Sequence, residues 1–219
     1  MTRVVVVAEG GLVAETIEVA LAEQGFCAQS MPFPRGRAEV VEARRRVDEF
    51  EAQAGVVVAE VDEVEEWRDV LGLVEGVDVP WLLVTGSASL GRWGGLLAAG
   101  CVGVVRMTDG LDALAETVRA VAAKGAGMDA VQHALALGAW HDLGAEQRDV
   151  VRRIAALSPR EWEVLGLLGE GQTTASIAKM SGVSEGTVRS QVRAIRQKLN
   201  VRSQLAAVAA YQTATEFGR

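Results

Sequence analysis

Arg189, Arg193 and Arg196 stand four and three residues apart, the spacing of one face of an α-helix. Val188, Val192, Ile195 and Leu199 repeat that spacing on a different face, which makes a buried stripe. The opposite side is then a row of guanidinium forks, with Gln191, Gln197 and Lys198 adding donors. Such forks suit planar acceptors: phosphate oxygens, or the O6 and N7 edge of guanine. A cationic face can also be merely solvated, so the surrounding elements must decide.

Those elements are sharply punctuated. Ser158-Pro159-Arg160-Glu161 is a capping box with proline at the first helical position, which predicts a helix start there. Gly171 stops that helix and Thr173 caps the next, which turns Ile177 and Ala178 inward. After Gly182, Ser184 caps a third helix over 185–199 that carries the arginines. Asn200 takes a left-handed stop and Ser203 caps a fourth helix. Two short helices joined by a glycine-bearing turn, the second the more basic, make a helix-turn-helix. The charge distribution agrees. The chain carries −7 overall, yet residues 1–127 hold 11 Lys/Arg against 20 Asp/Glu, whereas residues 157–219 hold 8 against 5. The positive excess falls where a polyanion would be met.

The ordered motifs LSPRE, LLGEG, IA, VSEGTVRSQV and KLNVRS, without a gap over the last quarter of the chain, closely resemble the LuxR/NarL-type DNA-binding domain. The resemblance implies double-stranded DNA as partner. Arg189, Ser190 and Arg193 would face base edges, with Arg196 on the same cationic face. Thr187 and Lys198 would lie near phosphates, and Thr174 would approach from the scaffold helix. It also implies a dimer contact on the fourth helix, at or near Val201, Leu205, Val208 and Tyr211. Ordinary packing inside the domain is the alternative for those four.

Residues 3–124 alternate strand and helix. Predicted strands cover 3–8, 27–30, 55–60, 80–85 and 101–106, with helices over 12–24, 39–53, 64–74, 89–99 and 111–123 and a loop over 31–36. Five buried strands alternating with five helices predict an α/β doubly wound, five-stranded parallel sheet, with a small all-α domain after it. Such sheets keep their sites at the carboxyl ends of the strands, here Glu9, Glu60, Thr85 and Arg106–Met107.

The element order, the attached helix-turn-helix and AAGCVGVV over 98–105 are similar to the flavodoxin-like receiver domain of bacterial response regulators. Receivers accept a phosphoryl group on an aspartate ending strand three. An acidic pair after strand one holds a cation, and a hydroxyl and a lysine hold the product. Here the acidic pair is Glu9-Gly10, the acceptor position is Glu60, the hydroxyl remains as Thr85, and the lysine position is Met107. The expectation is a degenerate site that is not phosphorylated in the usual way, with Glu60 either a built-in negative charge or a solvated carboxylate. Asp62 and Glu63 are weaker candidates to hold a cation with Glu9. Another signal would then act: a partner regulator, or a small apolar ligand at the strand ends near Trp67, Trp81 and Trp93, where core packing is the plainer use of tryptophan. A receiver-type pairing face would use parts of 89–99 and 111–123.

The domains expected are therefore a receiver-like unit over 1–125, a partly helical linker over 126–155 and the helix-turn-helix over 156–219. Within the linker, Trp140 can dock against a neighbouring domain. The protein expected is a dimeric, sequence-specific transcription regulator and not an enzyme, since no phosphate loop, HExxH, SxxK or nucleophile elbow occurs. The alternative is an interaction module that forms heterodimers with another regulator, DNA contact being secondary. No cofactor or metal site is expected, because His133 and His141 lack a third ligand. Cys27 and Cys101, in apparent core strands without CxxC spacing, predict two buried reduced thiols. With no signal peptide and no apolar run near ~20 residues, the expected location is the cytoplasm, away from membranes.

Overall fold

The valine-rich runs become central strands because a parallel sheet covered on both faces has no polar side to give up. The computed structural model describes residues 1–123 and 125–217. Its strands are β1 (Arg3–Ala8), β2 (Cys27–Pro32), β3 (Ala54–Val58), β4 (Trp81–Thr85) and β5 (Cys101–Arg106). All pair in parallel, in the order β2-β1-β3-β4-β5, the flavodoxin-like arrangement expected from the sequence.

On one face, α1 (Gly11–Glu23) and α5 (Gly110–Ala122) bring Ile17, Leu21, Leu114 and Val118 onto Val4, Val6, Val56, Leu82 and Val84. The remaining helices of the alternation are α2 (Gly36–Glu49), α3 (Val64–Val74) and α4 (Leu90–Ala99). The strand order reverses between β1 and β3, so their carboxyl ends open a crevice beside Glu9 and Glu60.

Several details differ from the sequence expectation. β2 runs on to Pro32, leaving a loop of only Phe33–Arg35; as an edge strand it can end on a residue without an N–H. On that edge Cys27 is only half-buried, whereas Cys101 is buried and its thiol is pushed up to about 11 by desolvation. Trp67, Trp81 and Trp93 are all buried core residues. Trp67 donates its indole N–H to the Arg92 carbonyl at 2.9 Å. The two cavities at the strand ends that run beside Met107 are lined by other residues.

The stretch read as linker holds two helices, α6 (Ala130–Asp142) and α7 (Ala145–Ala155). The chain divides between them, into Met1–Asp142 and Leu143–Phe217. α6 lies on α4 at a distance only glycine permits: a Cβ on Gly94 would sit 2.0 Å from the Ala136 carbonyl oxygen. Gly95 likewise leaves room for Trp140, which is buried and meets Trp67 with ring centroids 6.2 Å apart. The α4 surface expected to be open for pairing is therefore covered, in part, by the chain's own helix.

The second unit adds α8 (Pro159–Gly169), α9 (Thr174–Met180), α10 (Glu185–Leu199) and α11 (Gln204–Glu216). Ser158, Thr173, Ser184 and Ser203 each accept the backbone N–H three residues on, and Asn200 takes the left-handed stop with φ 55°. Its core is built from Ile154, Leu165, Ile177, Val188 and Ile195.

Candidate nucleic-acid interface

The stripe on α10 holds as expected: Val188, Val192, Ile195 and Leu199 are buried. Arg189, Ser190 and Arg193 are exposed on the other side and Arg196 is half-buried. Thr174, Arg189, Arg193 and Arg196 line one open groove, continued by Gln197, Asn200, Val201, Arg202 and Gln204. The structure thus gathers four of the expected residues and adds Arg202 and Gln204, which helical periodicity could not reach because they lie past the Asn200 stop.

Several polar side chains here have a defined setting. The Glu185 carboxylate accepts from Thr174 Oγ1 at 3.0 Å and from Arg189 Nη2 at 2.8 Å. Those two hydrogen bonds, with the Arg189 charge, hold the Glu185 carboxyl below its ordinary range. Glu185 thereby ties α9 to α10 and aims one guanidinium, a role that no motif signalled. Arg196 donates to the Arg202 carbonyl, which fixes the turn after α10. Thr187 and Ser184 share a hydroxyl hydrogen bond of 2.8 Å, and Ser190 donates to the Gly186 carbonyl. Lys198 is not free-standing: its ammonium donates to Glu161 Oε2 at 2.6 Å, while the same carboxylate accepts the Ser158 N–H. Desolvation raises the Glu161 pKa, but the bonds to Lys198 and Ser158 outweigh it and leave it lowered.

On the fourth helix Leu205 is 79% exposed, Val208 is half-buried, and the Tyr211 ring packs on Trp162 at 4.8 Å between centroids; Val201, also half-buried, lies in the turn before that helix.

Residues 155–210 match the family of bacterial regulatory proteins, luxR family. The nitrate/nitrite response regulator protein NarP of Escherichia coli (strain K12) is 31% identical over 133 residues, 61% of this chain and 60% of that protein. This unit is a LuxR-family helix-turn-helix.

Structures of RcsB also align along the chain. The RcsB response regulator of Salmonella typhimurium is 16% identical, covering 96% of this chain and 98% of its own, with a TM-score of 0.48. An RcsB–DNA complex is 16% identical over 97% and 98%, with a TM-score of 0.49. The luxR family is one of regulatory proteins and NarP is a response regulator.

Ahead of the LuxR-family unit, the strand-end site has its own geometry. Glu60 lies two residues past β3, and its carboxylate accepts from Thr85 Oγ1 at 3.4 Å and from the Gly86 N–H at 3.0 Å. A Cβ at Gly86 would come 2.8 Å from Glu60 Oε1, so a larger residue there would displace the Glu60 carboxylate. Thr85 is fully buried, and its hydroxyl also accepts the Ser87 N–H at 3.1 Å. Glu9 pairs with Arg35 and not with Asp62 or Glu63; Asp62 instead accepts from Ser87 Oγ. Among the described residues no group of three His, Cys, Asp or Glu side chains could hold a metal ion. Met107 reaches this site, while Arg106 turns to Asp109 at 2.9 Å. Among the described residues no helix is long and apolar enough to cross a membrane.

Proposed function

We propose that this chain is a sequence-specific DNA-binding transcription regulator that acts as a dimer, with a receiver-like unit that works without phosphoryl transfer. The observation that carries the DNA reading is α10: one face buried in its own unit, the other presenting Arg189 and Arg193 at an open groove. In this reading Arg189, Ser190 and Arg193 meet base edges in the major groove. Thr174, Thr187, Arg196 and Lys198 orient the helix against the phosphates. Lys198 meets a phosphate only by leaving or sharing Glu161. The exposed Leu205, with Val201 and Val208, supports pairing through the fourth helix, with a second copy or with another regulator. The chain's own balance supports this too, since the positive excess is confined to residues 157–219.

Support for phosphate independence comes from the strand ends. Glu60 already occupies the donors, Thr85 and the Gly86 N–H, that would otherwise be open to an incoming oxyanion. Met107 brings no charge to replace a lysine, and the nearby Arg106 is committed to Asp109. A partner or a small ligand then supplies the signal.

Two measurements test this. Selection from random duplexes with the untreated full chain should enrich a two-half-site sequence, and the logarithm of its affinity should fall linearly with log salt concentration. Recovery of unenriched sequence would overturn the DNA reading. Mass spectrometry after incubation with acetyl phosphate and magnesium should show no acyl phosphate; a stoichiometric one would overturn phosphate independence.

A further inference from the structure

Two cavities adjoin at the carboxyl ends of the strands. The larger, about 350 Å³, reaches between α1 and α5 to Ile17, Val58, Val84, Val105 and Leu114, so its walls are nearly all hydrocarbon. The smaller, about 150 Å³, contains Glu9, Glu60 and Glu66 with Phe33. Val13, Val58 and Met107 belong to both and form the shared wall. The rim is apolar as well, with Leu12 79%, Met107 49% and Leu111 41% exposed.

The charges here fix the sign of an occupant. Arg106, the cation on the apolar cavity, makes a salt bridge to Asp109, whose carboxyl it holds below its usual range. Arg35, the cation near the acidic cavity, is paired with Glu9. Glu60 is met by neutral donors, a hydroxyl and an amide. Glu66, half-buried, has its carboxyl pushed up by desolvation and by the negative charges of Glu9 and Glu60, with Arg35 opposing. The acidic end therefore carries more negative charge than its surroundings balance. The carboxylates are not gathered closely enough for a metal ion. A compact positive group attached to an apolar body meets both halves: burial of the body in the larger cavity and a charge-assisted hydrogen bond at the smaller.

We propose that the two cavities form one site for an apolar organic cation, a protonated amine on a hydrophobic body. The amine lies toward Glu60 and Glu66, and the body enters past Met107 to Val84 and Leu114. This rests on the reading that the receiver-like unit responds to something other than phosphate. A residue at 107 without charge is then a requirement of the site, because an ammonium there would occupy the place of the ligand's own.

The test titrates the full chain at neutral pH with n-octylamine, n-octanol and octanoate, three probes of matched length and different charge, by calorimetry. Octylamine should bind about tenfold or more tightly than octanoate, with octanol between them. Glu66→Gln, a near-isosteric change at a half-buried position, should weaken octylamine by about tenfold and leave octanol unchanged. Met107→Lys should weaken octylamine and strengthen octanoate. Circular dichroism checks that both variants are folded. Octanoate binding as well as octylamine, no octylamine binding, or octylamine binding indifferent to both substitutions would each overturn the proposal. An acyl phosphate on the chain would defeat phosphate independence alone, so the two failures are distinguishable.

Discussion

Two regions of this molecule gather like charge, and they manage it in opposite ways. Along α10 the arginines stand on a helix whose other face is locked into its own core, and among the described residues a carboxylate, Glu185, holds Arg189 alone of them. At the strand ends the carboxylates lie at a crevice, and each nearby cation already has an internal partner. The difference shows what availability of charge means. A row of forks left outward with fixed geometry suits an extended polyanion. A recessed, partly compensated acid cluster with an apolar wall suits a small cation and repels phosphate. The helix starts do not divide in the same way: α8 to α11 each begin on a capping hydroxyl and α1, α2 and α3 start without a side-chain cap, but α4 is capped by Ser89, α6 by Asp129, and α7 starts without one.

The contrast can be broken most forcefully from below. Ile195→Ala removes a fully buried side chain under the arginine row and should cost about 2–5 kcal/mol in urea unfolding of the second unit. DNA affinity should fall with it, whereas unfolding of the first unit should be unchanged. Arg193→Ala should leave stability alone and cost about 1–3 kcal/mol of specific DNA affinity in a gel-shift titration, with preference relaxed at one base position. If Arg193→Ala instead weakens every sequence equally and lowers the salt slope, its role is with phosphate and the base-edge assignment fails.

A gentler pair sharpens the comparison through pH. Glu161 has a lowered folded pKa, so the unfolded chain binds more protons; its contribution is present above about pH 4–5 and is lost as pH falls through the folded value. Glu66 has a raised folded pKa, so the folded chain binds more protons and its ionisation costs stability as pH rises through that value. Glu161→Gln should therefore flatten the acid limb of the second unit and lower its stability at neutral pH. Glu66→Gln should do the reverse for the first unit. Solvent screening of a half-exposed carboxyl keeps the Glu66 effect below about 1 kcal/mol. Chemical denaturation of the full chain between pH 4 and 7 reads both, and slopes of the same sign would erase the distinction. Smallest of all, Glu185→Gln should leave overall DNA affinity within a few-fold but lower the ratio of specific to non-specific binding, because Arg189 loses its direction.

Much of the second unit was legible because its signals are local. A serine or threonine cap acts on an N–H three residues away, so Ser158, Thr173, Ser184 and Ser203 marked their own helices. The buried stripe of α10 follows from one period. The Lys198–Glu161 pair spans 37 residues and joins two helices that only the folded chain brings together. The first unit's strands were legible from their β-branched runs, but its helix starts shifted by up to three residues, as at α2, where Gly36 and not Glu39 begins the helix. Glu9, Glu60, Thr85 and Met107 followed from their places at strand ends. Glu66 did not, since it reaches the same crevice from α3. The tryptophans take the plainer of their two uses because size serves the core: Trp67, Trp81 and Trp93 fill it, and the cavity is walled by valine and leucine instead.

The glycine seam between α4 and α6 bears on where the chain can be cut. Ending a fragment at residue 125, as sequence composition invites, would strip away α6 and lay bare Gly94, Gly95 and one side of Trp67, a trough shaped for a helix and filled by nothing else in the fragment. A fragment or a chimera joined after Asp142 keeps that trough roofed. Anyone transplanting the first unit onto a foreign reader of DNA should carry α6 along as part of the cargo and not treat it as rope.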